Sequence, residues 1–184
     1  MLTHGAGANS SAPLLVAVAN KFCDAGYLVL RCDLPFRQRR PFGPPAPAAA
    51  AQDRAGLREA AEYLRTHVSG KVMLGGHSYG GRQATMLAAE QPGVADALLL
   101  LSYPLHPPNK PEKARTQHFP ALRTPALFVH GTKDPFGTIA EMEAALALIP
   151  APTRLIVIDR AGHDLARGKF YLEAVVATGS SMFM

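Results

Sequence analysis

Gly76-His77-Ser78-Tyr79-Gly80 spells G-x-S-x-G. Lys71-Val72-Met73-Leu74 before it reads as a short apolar strand, and the residues from Gly81 to Gln91 read as a helix. A serine on a sharp strand-to-helix turn is pushed out of the sheet with its hydroxyl free. The helix N-terminus then faces any anion that develops beside it. Taken alone, the pentapeptide fits a glycine-rich turn as well as a nucleophile. Residues further along the chain change the balance. A serine nucleophile needs a base to take its proton and an acid to orient that base. Pro125 to His130 reads as a strand with Gly131-Thr132-Lys133-Asp134 behind it. Arg154 to Asp159 reads as another, with Ala161-Gly162-His163-Asp164 in the loop behind. Ser78, Asp134 and His163 therefore each fall just past the carboxyl end of an expected strand, the edge where open α/β sheets bind ligands. Their order, nucleophile then acid then histidine, is that of the α/β-hydrolases.

The remaining histidines fit less well. His77, inside the elbow, is expected to point away from Ser78. His130 ends a strand and reads as packed or capping a turn, and His67 closes a helix and reads as solvated. Among the acids, Asp159 is only four residues before His163, Asp164 is adjacent to it, and Glu141 and Glu143 lie on a helix. Asp134 is the best-placed acid. Acyl transfer also needs backbone N–H donors aimed at the developing oxyanion. The Tyr79 amide, next after the serine, is one. His4-Gly5-Ala6-Gly7-Ala8 is a His- and Gly-rich loop that supplies the second, and the Ala6 N–H is the expected donor.

The elements that must hold these groups alternate in type. A helix is expected after the first loop, capped by Ser10 or Ser11 with Pro13 in its first turn. It carries Leu14, Leu15, Val18, Ala19, Phe22 and Cys23 on one face and stops at Gly26. Asp53 to His67 is a second helix, with Leu57, Ala60, Ala61 and Leu64 on one side. Thr138 to Glu141 is a capping box opening a helix with Ile139, Met142, Leu146 and Ile149 inward. A last short helix is expected over residues 170–178. Alternating strands and helices argue for a mostly parallel sheet with helices on both faces.

At these residues the chain resembles a known family. It is similar to small α/β-hydrolases of the dienelactone hydrolase-like kind, a group that includes testis-expressed proteins and the hydrolase-like region of an NSL-complex subunit. The resemblance is carried by His4-Gly5-Ala6-Gly7, Leu30 to Pro35, Gly75 to Arg82, Tyr103-Pro104-Leu105-His106-Pro107-Pro108, Gly131 to Asp134 and Gly162-His163-Asp164. It spans roughly residues 2 to 170. It implies an α/β-hydrolase fold with a serine triad and names no substrate. Dienelactone hydrolase proper uses a cysteine where this chain has Ser78. The resemblance also implies two or three strands ahead of the His-Gly loop, yet only Met1-Leu2-Thr3 precede His4. The N-terminal strands are thus expected to be missing or truncated, and an exposed strand edge favours a homodimer.

With 184 residues the chain is expected to form one domain, residues 1–184, around a single core. The longest apolar run, Ala97 to Leu101, falls far short of the ~20 residues of a membrane span. No signal-peptide pattern opens the chain. The two cysteines, Cys23 and Cys32, match no metal or disulfide spacing and read as buried thiols of a cytoplasmic protein. The formal charge is +5. Arg37, Arg39 and Arg40 form a basic cluster too small for a nucleic-acid stripe, and it reads as solvated. Its sharper alternative is contact with an anionic substrate group, which also brings Arg40 to the pocket edge. Arg82, one turn into the elbow helix, shares that alternative but is expected to pack or pair beneath the site.

Two loops shape the entrance. Residues 35–52 are rich in proline and alanine and are expected to be extended or mobile. Residues 104–125 occupy the place of a lid and are too short for a cap domain. His106, Arg115 and His118 there, with His4 and Arg40, are the candidate pocket-lining residues, and holding the loop together is an equal reading for the first three. The sequence thus points to a serine hydrolase without a cap, acting on an ester or related acyl bond of a small molecule with no metal or organic cofactor. A non-catalytic hydrolase-fold binding protein and a thioesterase or peptidase of the same mechanism are the alternatives. Nucleic acid and membrane are not expected partners.

Overall fold

A computed structural model of the chain describes residues 1–166 and 172–183. Six strands form one parallel sheet: β1 (Leu2–Thr3), β2 (Arg31–Cys32), β3 (Met73–His77), β4 (Ala97–Leu101), β5 (Ala126–Gly131) and β6 (Thr153–Ile158). Their order is β2-β1-β3-β4-β5-β6. β4 is Ala-Leu-Leu-Leu-Leu, apolar at every position because both of its faces are covered. Leu98 and Leu100 face one cluster, with Leu57, Leu64, Leu87, Phe128 and Met142. Leu99 and Leu101 face the other, with Leu15, Val18, Phe22, Val129 and Val175. Helices α1 (Pro13–Asp24) and α6 (Leu172–Phe183) cover the second face. Helices α3 (Ala50–His67), α4 (Tyr79–Glu90) and α5 (Ile139–Leu146) cover the first. This is the α/β-hydrolase architecture expected from the sequence, with no separate cap domain among the described residues.

β1 is a two-residue strand, yet it sits inside the sheet, with Leu2 opposite both Arg31 and Gly75. The Met1 nitrogen donates to the Met73 carbonyl at 2.6 Å and the Gly75 N–H donates to the Met1 carbonyl at 3.0 Å. Short as it is, β1 leads straight into the His4–Ala8 loop and seats that loop beside the elbow.

Several local expectations are corrected. Residues 35–52 are neither extended nor without structure. They form the short helix α2 (Pro35–Arg39), a 3-10 turn at Pro47–Ala49, and the opening of α3, which starts three residues ahead of Asp53. Prolines at the first turns of both helical pieces fix φ without removing a needed donor. Neither serine caps α1: its N-cap is Ala12, while the Ser10 N–H donates to the Asp33 carboxylate and the Ser11 N–H to Asn9. Cys23 is exposed and Cys32 half-buried, so the pair are not buried thiols. Residues 104–125 carry two 3-10 turns, at Pro111–Lys113 and Phe119–Ala121. Thr138 and Glu141 make the expected capping box at α5. The last helix runs further than expected, to Phe183, and Phe170 and Tyr171 of that expectation lie outside the described residues. No described helix is long and apolar enough to cross a membrane.

Candidate active site

The elbow is held by strain and close packing. Ser78 has φ 51° and ψ −116°, a backbone conformation that side chains other than glycine rarely adopt. Its N–H donates to the Leu101 carbonyl at 2.9 Å, which fixes the turn against the end of β4. Gly80 allows the turn to press on β1: a Cβ there would lie 2.6 Å from the His4 carbonyl oxygen. Gly5 does the same from the other side, since its Cβ would meet His77 Nδ1 at 3.0 Å and the Ser78 Cβ at 3.4 Å. The His4–Ala8 loop therefore lies directly against the serine.

Ser78, His163 and Asp134, far apart in sequence, are joined by hydrogen bonds. Ser78 Oγ lies 2.8 Å from His163 Nε2. His163 Nδ1 lies 2.8 Å from Asp134 Oδ2 and 3.0 Å from Oδ1. With the proton on Nδ1, Nε2 is free to accept from the serine hydroxyl. Asp134 is buried, and its Oδ1 also accepts from the Phe136 N–H at 2.9 Å. The Phe136 ring covers the imidazole at 4.3 Å between centroids. Such a chain can move a proton from Ser78 to His163 while Asp134 stabilises the imidazolium.

His77 packs against His163. Its Nε2–H donates to the His163 main-chain carbonyl at 2.7 Å, and the two rings lie 5.1 Å apart. Burial holds the His77 pKa below the ordinary histidine value. It braces the His163 loop as a neutral donor.

The Gly5 end of the His4–Ala8 loop and Tyr79, the first residue of α4, lie beside Ser78. Two buried polar residues brace these segments. Arg37 is buried, not solvated. Its guanidinium donates to the carbonyls of Ala8 (2.8 Å), Ala6 (2.8 Å), Gly43 (3.0 Å) and Arg40 (3.1 Å). It turns the Ala6 and Ala8 carbonyls toward itself and so holds the course of the His4–Ala8 loop. Asp53, fully buried on α3, accepts from the Tyr79 hydroxyl at 2.8 Å and from the Phe36 N–H at 2.9 Å. Burial and this bond push the Tyr79 hydroxyl pKa up. No local pattern marks Arg37 or Asp53, because their partners lie on other segments.

The candidate pocket-lining residues divide. His4 is fully buried and lines nothing. It accepts from the Leu34 N–H at Nε2 and bonds the Gly5 carbonyl through Nδ1, and burial lowers its pKa. Arg40 is exposed and folds back on the Phe42 carbonyl. His106 is buried and ties its loop to α5, with Nδ1 on the Pro107 carbonyl and Nε2 3.4 Å from Glu141. Arg115 and His118 are half-buried; the Arg115 guanidinium donates to the Pro104 carbonyl at 3.2 Å, and His118 bonds the Thr85 hydroxyl of α4 at 2.8 Å. His130 packs as expected, donating to the Gly137 carbonyl at 2.8 Å, and His67 is exposed. A cavity of about 600 Å³ lies at the opposite end of the strands, lined by Met1, Phe22, Tyr27, Leu64, Met73 and Leu99. It does not touch Ser78. Among the described residues no group of His, Cys, Asp and Glu is arranged to hold a metal ion.

The family described as alpha/beta hydrolase domain matches residues 1–171. The chain belongs to it. Dienelactone hydrolase from Anabaena variabilis superposes on this α/β hydrolase with a TM-score of 0.75 at 27% identity, over 100% of this chain and 84% of that one. TT1662 from Thermus thermophilus gives 0.75 at 21% identity, covering 99% and 87%. Est1E from Butyrivibrio proteoclasticus gives 0.74 at 19%, covering 98% and 84%. The last two likenesses are of fold alone. The family match, with the likeness to dienelactone hydrolase, places this chain among the dienelactone hydrolase-like α/β hydrolases.

Proposed function

We propose that this hydrolase cleaves an ester or related acyl bond of a small molecule through a covalent acyl-enzyme. The observation that carries the reading is the unbroken hydrogen-bond path from Ser78 Oγ through His163 to Asp134. His163 Nε2 takes the hydroxyl proton as Ser78 Oγ attacks the substrate carbonyl. The amides of Ala6 and Tyr79 donate to the oxyanion of the tetrahedral intermediate. Asp134 keeps the imidazolium oriented. As the intermediate collapses, His163 gives its proton to the departing alkoxide, leaving the acyl group on Ser78. Water, deprotonated by His163, then attacks the acyl carbon by the same route, and the free acid leaves with the serine restored. The residues supply every proton transfer without another group.

The test is labelling with a fluorophosphonate, a neutral probe that phosphonylates activated serines. The wild type is expected to label and Ser78→Ala is expected not to. The same variant should lower turnover of a short acyl ester by about 10⁴-fold or more. Labelling that persists in Ser78→Ala would overturn the assignment of the nucleophile.

A further inference from the structure

A histidine acting as base becomes a cation each time it takes a proton from the serine or from water. At His163 an aromatic ring lies where that charge would form. The Phe136 and His163 ring centroids are 4.3 Å apart and the ring planes differ by 35°, so the π face of the phenyl ring meets the imidazole. The two other His–Phe contacts among the described residues, His4–Phe36 and His118–Phe119, cross at 60° and 81°. The flatter approach at His163 is therefore particular to this site.

The Phe136 main chain is pinned from both sides. Its N–H donates to Asp134 Oδ1 at 2.9 Å, and its carbonyl accepts from the His106 N–H at 3.0 Å. Gly137, the next residue, presses on Leu105, where a Cβ would come within 3.1 Å, and its carbonyl accepts from the buried His130 Nε2–H at 2.8 Å. None of these contacts uses the benzyl group. Phe136 is half-buried and belongs to neither of the two apolar clusters of the core. Packing of the fold thus leaves its ring unexplained, and the contact with His163 does not.

The other groups around the imidazole act from different directions. Asp134 bonds Nδ1 and so lies at the edge of the ring, in its plane. The His77 ring is 5.1 Å away and is kept neutral by burial. Asp164, next along the chain, is exposed. Only Phe136 offers the face of the imidazole a negative π surface among these neighbours.

We propose that Phe136 is a positioning residue that acts through His163: its π face stabilises the imidazolium as it forms and holds the imidazole plane between Ser78 and Asp134. A neutral imidazole gains only van der Waals contact from the ring. The cation gains the attraction of the ring quadrupole in addition. The extra attraction exists in the transition state and not with substrate merely bound, so it raises kcat and leaves KM alone. This inference rests on the reading of Ser78 as the nucleophile, and labelling of the wild type separates the two.

The experiment places singly, doubly and triply fluorinated phenylalanine at position 136 of the full chain. Fluorine drains the π face in steps while nearly keeping the shape of the ring. The rate of fluorophosphonate labelling and kcat for p-nitrophenyl acetate are expected to fall in step with fluorination. The fall should reach about three- to tenfold in the triply fluorinated protein, the factor a partly desolvated cation–π contact supplies. KM should stay within about twofold of the wild type. Phe136→Leu, apolar but without a π face, should be slowed at least as much as the triply fluorinated protein. Circular dichroism melts check folding, and the fluorinated proteins carry the test if Phe136→Leu is unfolded. Rates indifferent to fluorination in a protein that labels overturn the proposal, and so does slowing confined to Phe136→Leu, which marks packing alone. A raised KM with kcat unchanged also overturns it, because the ring would then bind substrate. A wild type that does not label overturns the reading of Ser78 and this proposal with it.

Discussion

Arg37 is a full charge with no carboxylate partner among the described residues, satisfied by four main-chain carbonyls. A cation in that position works by geometry: it fixes where the Ala6 and Ala8 carbonyls point, and hence where the intervening amides face. Arg37→Ala is expected to loosen that loop and lower kcat with little change in KM. The loss is limited to about 10²–10³-fold, the cost of one missing oxyanion donor. Steady-state kinetics beside the rate of fluorophosphonate labelling reads it, and an unchanged kcat in a folded variant removes the positioning role. Asp134→Asn tests the other end of the site. An amide in place of the carboxylate favours the wrong tautomer of His163 and should reduce kcat by about 10⁴-fold without unfolding the protein. A variant within tenfold of the wild type would show that Asp134 is not the orienting acid.

Among the elements, the elbow and α5 carry the most position-sensitive contacts. Gly80→Ala would drive a methyl group to 2.6 Å from both the His4 carbonyl oxygen and Thr3 Cγ2. Neither neighbour can yield easily, since both belong to β1 or the loop it feeds. The expected cost is about 1–3 kcal/mol, seen as a lower Tm together with slower labelling of Ser78. Thr138→Ala removes the capping box of α5 and should cost about 1 kcal/mol. Because α5 packs against β6 and anchors His106 through Glu141, this change should lower Tm by a few degrees while leaving the Ser78–His163–Asp134 path intact. The elements themselves were largely legible. β4 is apolar at every position, Thr138-x-x-Glu141 is a local signature, and Pro13 marks the start of α1. Residues 35–52 were misread because proline density resembles a flexible segment. Here the prolines occupy the first turns of short helices, where their fixed φ is already the required one.

For the whole molecule, three histidines are held neutral by the fold. Burial lowers the pKa of His4, His77 and His118, the last to about 4 from 6.5. Below pH 6.5 the unfolded chain therefore binds more protons than the folded one. Their contribution to stability is complete above that value and is lost as pH falls from 6.5 toward 4. Tm should drop across this window. His118→Gln keeps a donor for Thr85 and removes one titrating group, so its Tm should fall less steeply than that of the wild type. Identical slopes for the two proteins would show that His118 does not contribute.

Local pattern in the sequence determined the alternation of strands and helices, the parallel sheet, and the order of Ser78, Asp134 and His163, each just past a strand end. Each of these depends on neighbours a few residues away: periodicity, a cap, a glycine turn. The tertiary structure alone decided that Arg37, Asp53 and His4 are buried, that Cys23 is not, and that His77 braces the His163 loop. It alone left the Arg82 Nε–H buried without an acceptor among the described residues. Burial and pairing depend on which distant segment covers a side chain. Arg37 meets Ala6 and Asp53 meets Tyr79 across separations that carry no repeating signal, so their roles exist only once the sheet has brought those segments together.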